Sequence, residues 1–309
     1  MNLYRKLEDF PESLRGGALT IGNFDGVHKG HSQIIARLKH HANAVGGAAI
    51  VFTFDPHPVR LLRPEQTPPP LTWTNRKAEL LSEIGIDAIV AFPTTKDFLS
   101  LTSQQFFDQV IVDSIGARAV VEGPNFFFGK KREGNVETLK QMCDVADVEL
   151  EIVKPIQFDE EYISSSRIRD LIRVGEVGLA SRLLTRPYRI RGMVTHGAAR
   201  GAQIGFPTAN LDAIDTLIPQ NGVYAGRVAF AGRLHQAAIN IGPNPTFGEH
   251  AKKVEVHILN FNESIYGQTI EVDFIGRLRD IRQFESTEEL IKQLESDISQ
   301  VRLSDTTKE

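Results

Sequence analysis

Apolar positions follow two different rhythms along this chain. In the first half, short apolar runs at 18–21, 48–54, 88–92, 119–121 and 148–153 predict strands. Between them the apolar residues recur every three or four positions. Ile34, Ile35, Leu38, Ala42 and Val45 share one face of a helix, and 77–84, 104–115 and 136–145 have the same helical character. Strands alternating with helices predict a parallel sheet covered by helices. Pro64, Pro68, Pro69 and Pro70 mark a loop that interrupts the alternation.

The rhythm changes near residue 186. Two short helical stretches, 167–173 and 177–184, precede strand-like runs at 188–195, 223–230, 234–241, 254–261 and 269–275, separated by Gly, Pro and Asn turns. Many strands with little helix predict a small barrel or sandwich. In the fourth run, Val254, Val256 and Ile258 fall on one face, and Glu255 and His257 on the other. Glu271 and Asp273 in the fifth run are expected to be exposed strand carboxylates. The chain then predicts a last helix. Ser286 and Glu289 have capping-box spacing, and Leu290, Ile291, Leu294, Ile298 and Val301 form its apolar stripe. No internal repeat or low-complexity tract is visible.

A length of 309 residues suits two domains, 1–185 and 186–309. Apolar content of 41% supports packed cores. A net charge of −4 argues against a nucleic-acid-binding surface. Cys143 is the only cysteine, so an intramolecular disulfide and a cysteine zinc site are excluded, which fits a reducing compartment. The N-terminal stretch lacks the apolar centre of a signal peptide, and no run approaches the ~20 apolar residues of a membrane span. The expectation is a soluble cytoplasmic protein that binds neither nucleic acid nor membrane. An oligomer is possible but not predicted.

The candidate chemistry begins at "GNFDGVHKGHSQII", residues 22–35. Gly22, Gly26 and Gly30 keep Cβ atoms out of the turn between a strand and a helix, so that backbone can approach a ligand. The helix is expected to start at His31 or Ser32, and its free N–H groups favour anions. His28 and His31 can donate to phosphate oxygens and stabilise charge on phosphorus under attack. The spacing matches neither the dinucleotide fingerprint nor a zincin. On spacing alone, solvated histidines on a glycine-rich connection remain an alternative.

Other stretches are suggestive. "FDPHP" carries Asp55 and His57; it also reads as a rigid turn. "GPNFFFGKKREGN" is not a P-loop, because the glycine spacing is one residue too long and Lys131 stands where Ser or Thr is needed. "ISSSRIRDLI" sets Ser164, Ser165 and Ser166 before Arg167 and Arg169, a phosphate clamp or a helix cap. "GAQIGFPTANL" contains Thr208 and Asn210, hard oxygen donors of the kind Mg²⁺ accepts beside phosphate.

Together these motifs resemble one family. "GNFDGVHKGH" resembles the H-x-G-H motif of nucleotidyltransferases. The longer string, with "FDPHP", "LTWTNRKAELLSEIGID", "GPNFFFGKKREGN" and "ISSSRIRDLI", is most similar to the N-terminal module of bacterial bifunctional riboflavin kinase/FAD synthetases. "GFPTANL", "PQNGVYAGRV", "NIGPNPTFG" and "VEVHILNFNESIYG" resemble the kinase module in the expected order.

The resemblance implies a Rossmann-like nucleotidyltransferase domain, then a six-stranded antiparallel barrel with a C-terminal helix. It implies that riboflavin is phosphorylated to FMN, and FMN adenylylated to FAD, with ATP as co-substrate and Mg²⁺ as cofactor. Expected catalytic residues are Glu255, His28 and His31. ATP or phosphate is expected at Gly22, Asn23, Phe24, Asp25 and Gly30, at Ser164, Ser165 and Arg169, and at Gly201 and Thr208. Flavin is expected at Asp55, His57 and Asn125, and the metal at Thr208 and Asn210. The glycine loop departs from the family's usual G-E-D-F-R-F-G: Pro124 replaces the Glu, Asn125 the Asp and Phe127 the Arg. Alternatives are a riboflavin kinase with a degraded adenylyltransferase half, and a non-catalytic flavin-binding regulator.

Overall fold

Because the apolar runs of the first half are hydrophobic on both faces, they pair as buried parallel strands. The computed structural model describes residues 2–197, 200–243 and 252–304. The chain falls into two units, Met1–Pro68 with Trp73–Ser164, and Pro69–Thr72 with Ser165–Glu309.

In the first unit the strands are β1 (Asn2–Tyr4), β2 (Ala18–Ile21), β3 (Ala49–Phe54), β4 (Ala88–Phe92), β5 (Ala119–Glu122) and β6 (Glu149–Ile152). They form one parallel sheet in the order β1-β4-β3-β2-β5-β6. The helices are α1 (Lys29–Val45), α2 (Pro58–Leu62), α3 (Thr74–Glu83), α4 (Ser103–Phe106) and α5 (Val136–Ala146). A small antiparallel ladder joins β7 (Gln157–Phe158) to β8 (Glu161–Tyr162).

Strand alternation divides the core into two layers. Leu19, Ile21, Ile50, Phe52, Val90 and Val120 pack with Phe106, Phe107, Val110, Ile111, Leu139 and Cys143. Ala18, Ala49, Val51, Ile89, Ala119 and Val121 pack with Ile35, Leu38 and Ala42 of α1 and with Ala78 and Leu81 of α3. β2 lies between β3, its successor in the chain, and β5. Strand order therefore reverses at β2, and the crevice beyond the C-terminal ends of β2 and β5 is where such sheets bind ligands. The first site is built there.

Two details of this unit differ from expectation. The helix expected over 104–115 is α4, opened by a capping box of Thr102 and Gln105, followed by a π-helix, Phe107–Ser114. The wider turn lets consecutive Phe106 and Phe107 both reach the core. β1 has no counterpart in the apolar pattern, since it is a three-residue edge strand, half-exposed.

The second unit contains α6 (Ser165–Arg173), α7 (Val177–Leu184), β9 (Tyr188–Thr195), α8 (Arg200–Gln203), β10 (Ala209–Asp212), β11 (Gly222–Phe230), β12 (Arg233–Gly242), β13 (Lys253–Ile258), β14 (Thr269–Arg279) and α9 (Thr287–Ser304). Its six strands close into a barrel, β10-β13-β12-β11-β14-β9, every pair antiparallel. Closure removes exposed strand edges. Val254, Val256 and Ile258 are buried as the alternation predicts, with Tyr224, Ile239 and Phe274 also in the core. The segment Pro69–Thr72 joins this unit: Leu217 N donates to Pro70 O at 3.0 Å, and Arg169 Nε to Pro69 O at 3.0 Å.

Several expectations are corrected here. The sixth strand, β10, contains Asn210, so the Pro-Thr-Ala-Asn stretch is strand as well as loop. Its four residues are too few and too polar to show a period. The fourth run ends at Ile258, and the fifth continues to Arg279. Glu271 and Asp273, read from sequence as exposed strand carboxylates, instead bind Arg189 at 2.6 Å each, and Asp273 is only 5% exposed. At α9, Glu289 N donates to Ser286 Oγ at 3.1 Å, but the Glu289 carboxylate accepts from Glu285 N rather than from Ser286 N. The stripe of α9 also carries Asp297, buried and bound to Arg279 at 2.8 Å.

Candidate active sites

The first site starts where β2 ends. Gly22 N donates to Phe52 O of the neighbouring strand at 2.9 Å. The chain then turns through three left-handed residues, Phe24 (φ 47°), Gly26 (φ 83°) and Val27 (φ 39°). Such backbone is costly for Phe and Val and persists only where the surroundings hold it. Both side chains are buried, which supplies that hold. α1 begins earlier than expected: His28 is its N-cap, and its Nδ1 accepts from His31 N at 3.4 Å. The His28 and His31 rings stack with centroids 3.7 Å apart and planes 17° from parallel. A Cβ on Gly30 would lie 3.2 Å from the His28 ring and 3.5 Å from Ile163 O, so glycine is what lets this pair sit against the chain. Asn23 Oδ1 is buried without a hydrogen-bond partner among the described residues, an acceptor left available to a ligand.

Neighbouring strand ends add to this site. Asp55 follows β3 and accepts from Thr74 Oγ1 at 2.9 Å and from Arg5 Nη1 at 3.1 Å. His57 caps α2, its Nδ1 accepting from Val59 N at 3.1 Å. Asn125 is exposed on the loop after β5. In the same loop Phe126 stacks on Phe128 at 5.4 Å, and Arg132 lies over the Phe127 ring at 4.4 Å. Ser164 ends the first unit. Ser165 and Arg169 lie on α6 in the second unit, where Arg169 is buried and holds Pro69 O.

Two buried ionisable residues escape the sequence reading. Lys77 of α3 is buried, and its Nζ lies 3.4 Å from Thr53 Oγ1. Burial pushes its pKa down, opposed by the charges of Asp25 and Asp55. Glu122, the last residue of β5, accepts from Ile21 N at 2.6 Å and lies 3.5 Å from Thr20 Oγ1. Burial drives its carboxyl well above the ordinary range, against the hydrogen bonds from Ile21, Thr20 and Gly123. The available signal was a charged residue in a buried phase: Lys77 adjoins Ala78 and Leu81 in the apolar stripe of α3, and Glu122 extends an apolar run.

The second site lies on the barrel. Asn210 of β10 is in register with Glu255 of β13, and Glu255 with Asn240 of β12, so the three form one row across adjacent strands. Asn240 Nδ2 donates to Glu255 Oε2 at 3.4 Å. His257, two residues on, has Nδ1 2.7 Å from Pro207 O and ties down the segment that leads to Thr208. Gly197 and Gly201 leave room around it. A Cβ on Gly197 would fall 2.1 Å from Asn210 Nδ2, and one on Gly201 would fall 2.3 Å from Phe206 O. Thr208 and Asn210 are half-buried and offer hydroxyl and amide oxygens. That donor set, in a cradle kept open by two glycines, fits a hard cation that shares its coordination with phosphate and water. No cluster of three His, Cys, Asp or Glu suited to a metal occurs among the described residues. Of "NIGPNPTFG", residues 244–248 lie outside the described residues.

A parallel sheet with stacked imidazoles at its switch point, followed in the chain by a closed barrel with Asn210 in register with a glutamate and Thr208 just before the same strand, defines a nucleotidyltransferase-like domain joined to a kinase-type barrel. Comparison with known proteins agrees. The FAD synthetase family matches residues 10–167, and the riboflavin kinase family matches residues 184–304. A bifunctional riboflavin kinase/FMN adenylyltransferase of Pseudomonas fluorescens is 33% identical over 98% of this chain and 97% of its own. The protein of that name from Listeria monocytogenes is 38% identical over 92% of this chain and 91% of its own. A crystal structure described as a macrolide-efflux protein from Streptococcus pneumoniae superposes with a TM-score of 0.86 at 32% identity, covering 97% of this chain and 98% of that one. No helix among the described residues of this chain is long and apolar enough to cross a membrane. The chain belongs to the bifunctional riboflavin kinase/FMN adenylyltransferase family.

Proposed function

We propose that the barrel site phosphorylates riboflavin and that the switch-point turn adenylylates the product, with the kinase in residues 186–309 and the adenylyltransferase in 1–185. The two activities are those of the family, and ATP serves both. The row Asn210–Glu255–Asn240 carries the kinase assignment, because it sets one carboxylate beside the strand that offers the oxygen donors.

In the kinase step the ribityl 5′-hydroxyl of riboflavin attacks the γ-phosphorus of ATP. The hydroxyl proton passes to the Glu255 carboxylate, and ADP leaves. Asn240 holds that carboxylate through its amide. Thr208 and Asn210 would hold Mg²⁺, which when bound offsets charge on the phosphates; Gly201 keeps backbone space for them.

In the second step a phosphate oxygen of FMN attacks the α-phosphorus of another ATP, and pyrophosphate leaves. The nucleophile is already anionic, so no base is needed. His28 and His31 donate to the transferring group, with their stacked geometry set before substrate arrives. Gly22, Asn23, Phe24, Asp25 and Gly30 shape the turn that receives the triphosphate. Ser164, Ser165 and Arg169 bind the leaving phosphates, and Asp55, His57 and Asn125 orient the flavin. A cytoplasmic location is part of this reading, supported by the single, unbridged Cys143.

The test is an incubation of the chain with riboflavin, ATP and Mg²⁺, followed by separation of the flavins. Glu255→Ala is expected to abolish FMN formation and spare FAD formation from supplied FMN. His31→Ala is expected to do the reverse. FAD formation that survives His31→Ala, or FMN formation that survives Glu255→Ala, rejects the corresponding site.

A further inference from the structure

Lys77 has no part in the two reactions as described, yet it lies buried beneath the imidazole turn. Its ammonium donates to Thr53 Oγ1 at 3.4 Å, and that hydroxyl donates to the carbonyl oxygen of Asn23 at 3.2 Å. Asn23 immediately precedes Phe24, the first left-handed residue of the turn. Thr53 is itself 1% exposed, so the whole connection runs through protein interior. A hydrogen bond from a charged donor is stronger than a neutral one, and a neighbouring bond in the same chain is polarised by it. The charges of Asp25 and Asp55 also act on this ammonium. Asp25 lies in the turn and is 7% exposed, so its carboxylate has little water to screen it. Asp55 also meets Arg5 Nη1 at 3.1 Å, and Lys77 adds a buried positive charge that acts on both carboxylates.

We propose that Lys77 is a positioning residue for nucleotidyl transfer: through Thr53 it holds the turn that carries His28 and His31, and its charge offsets Asp25 and Asp55 where ATP enters. The inference rests on the assignment of adenylyl transfer to that turn. It names two separable effects. The Thr53 connection fixes geometry, and geometry affects turnover. The charge affects ATP binding.

The experiment uses the full chain, with riboflavin phosphorylation as an internal measure of folding. Thr53→Val removes the connection and keeps the ammonium. It is expected to lower kcat for FAD formation from FMN about tenfold, with KM for ATP within twofold of the parent. Lys77→Met removes both, and is expected to lower kcat to a similar extent and also to raise KM for ATP about tenfold. The double variant should have the kcat of Lys77→Met alone, because both changes cut the same connection. Riboflavin phosphorylation should stay within twofold throughout. FAD kinetics within twofold of the parent in Lys77→Met overturn the proposal. If Lys77→Met loses both activities together, Thr53→Val decides: an unchanged kcat for FAD formation overturns the proposal. His31→Ala runs in parallel. FAD formation that survives it rejects the site itself, a result distinct from any behaviour of Lys77.

Discussion

Ile21 at the end of β2 donates its backbone N–H to the side chain of Glu122 on β5, at 2.6 Å, rather than to a strand carbonyl. Backbone pairing between these strands stops two residues earlier, at Leu19 and Val120. The strands part at their C-terminal ends, and a carboxyl fills the gap from which the imidazole turn departs. A buried acid without a close cation keeps its proton more readily than one in water.

The pH dependence of stability follows from that. The folded state holds the Glu122 proton through a pH range in which the unfolded chain has released it. Stability from this group is therefore complete at acid pH, and is lost as pH rises beyond the ordinary carboxylate range toward the raised folded-state value. Glu122→Gln keeps an acceptor for Ile21 N and cannot titrate. Between pH 5 and pH 8 the parent should lose at least ~2 °C of melting temperature relative to the variant. Parallel melting curves across that range would contradict the assignment.

Gly30→Ala tests the imidazole stack. The new methyl would press on the His28 ring at 3.2 Å, with Ile163 O behind it at 3.5 Å. The ring must tilt to make room. FAD formation from FMN should fall ~10- to 100-fold, because small displacements of catalytic groups have effects of that size. FMN formation should not change.

Gly197→Ala makes the complementary test on the barrel. Its Cβ would lie 2.1 Å from Asn210 Nδ2 and so displace that amide. An amide at the end of a side chain can move without unfolding the strand. Riboflavin phosphorylation should drop about tenfold or more with the melting temperature within ~2 °C of the parent, and FAD formation from supplied FMN should persist. Steady-state assays of the two half-reactions distinguish this from general damage.

Asp297→Ala concerns the docking of α9. Arg279 makes three hydrogen bonds to the Asp297 carboxylate, the shortest 2.8 Å, and Gln293 adds a fourth at 2.7 Å. The aspartate is 1% exposed. Truncation strands a half-buried guanidinium, and the barrel unit should lose ~3–5 kcal/mol in urea unfolding. A change under about 1 kcal/mol would mean that water replaces the carboxylate without cost.

Element type was readable wherever burial imposed a period. The runs at 18–21, 88–92 and 188–195 and the helical stretch 177–184 coincide with β2, β4, β9 and α7. The misses were elements whose residues carry no period of their own. β10 is short and polar, and β1 is a three-residue edge; neighbours across the sheet make them strands, and those neighbours are distant in sequence. Glu271 and Asp273 looked like surface residues because their partner, Arg189, is more than eighty positions away.

Residue order alone carried the two-part architecture, the family and the glycine-spaced histidine turn, since each depends on contiguous strings whose local periodicity, turn propensity or motif spacing is visible in one dimension. The stacking of His28 on His31, the meeting of Asn210 with Glu255, and the burial of Lys77 and Glu122 beside the turn depend on strand register and on which side chains are shut away from water. Register and burial arise only when segments far apart in the chain pack together; that packing gives the histidine pair and the Asn210–Glu255 row their geometry, and it is burial that shifts the titration of Lys77 and Glu122.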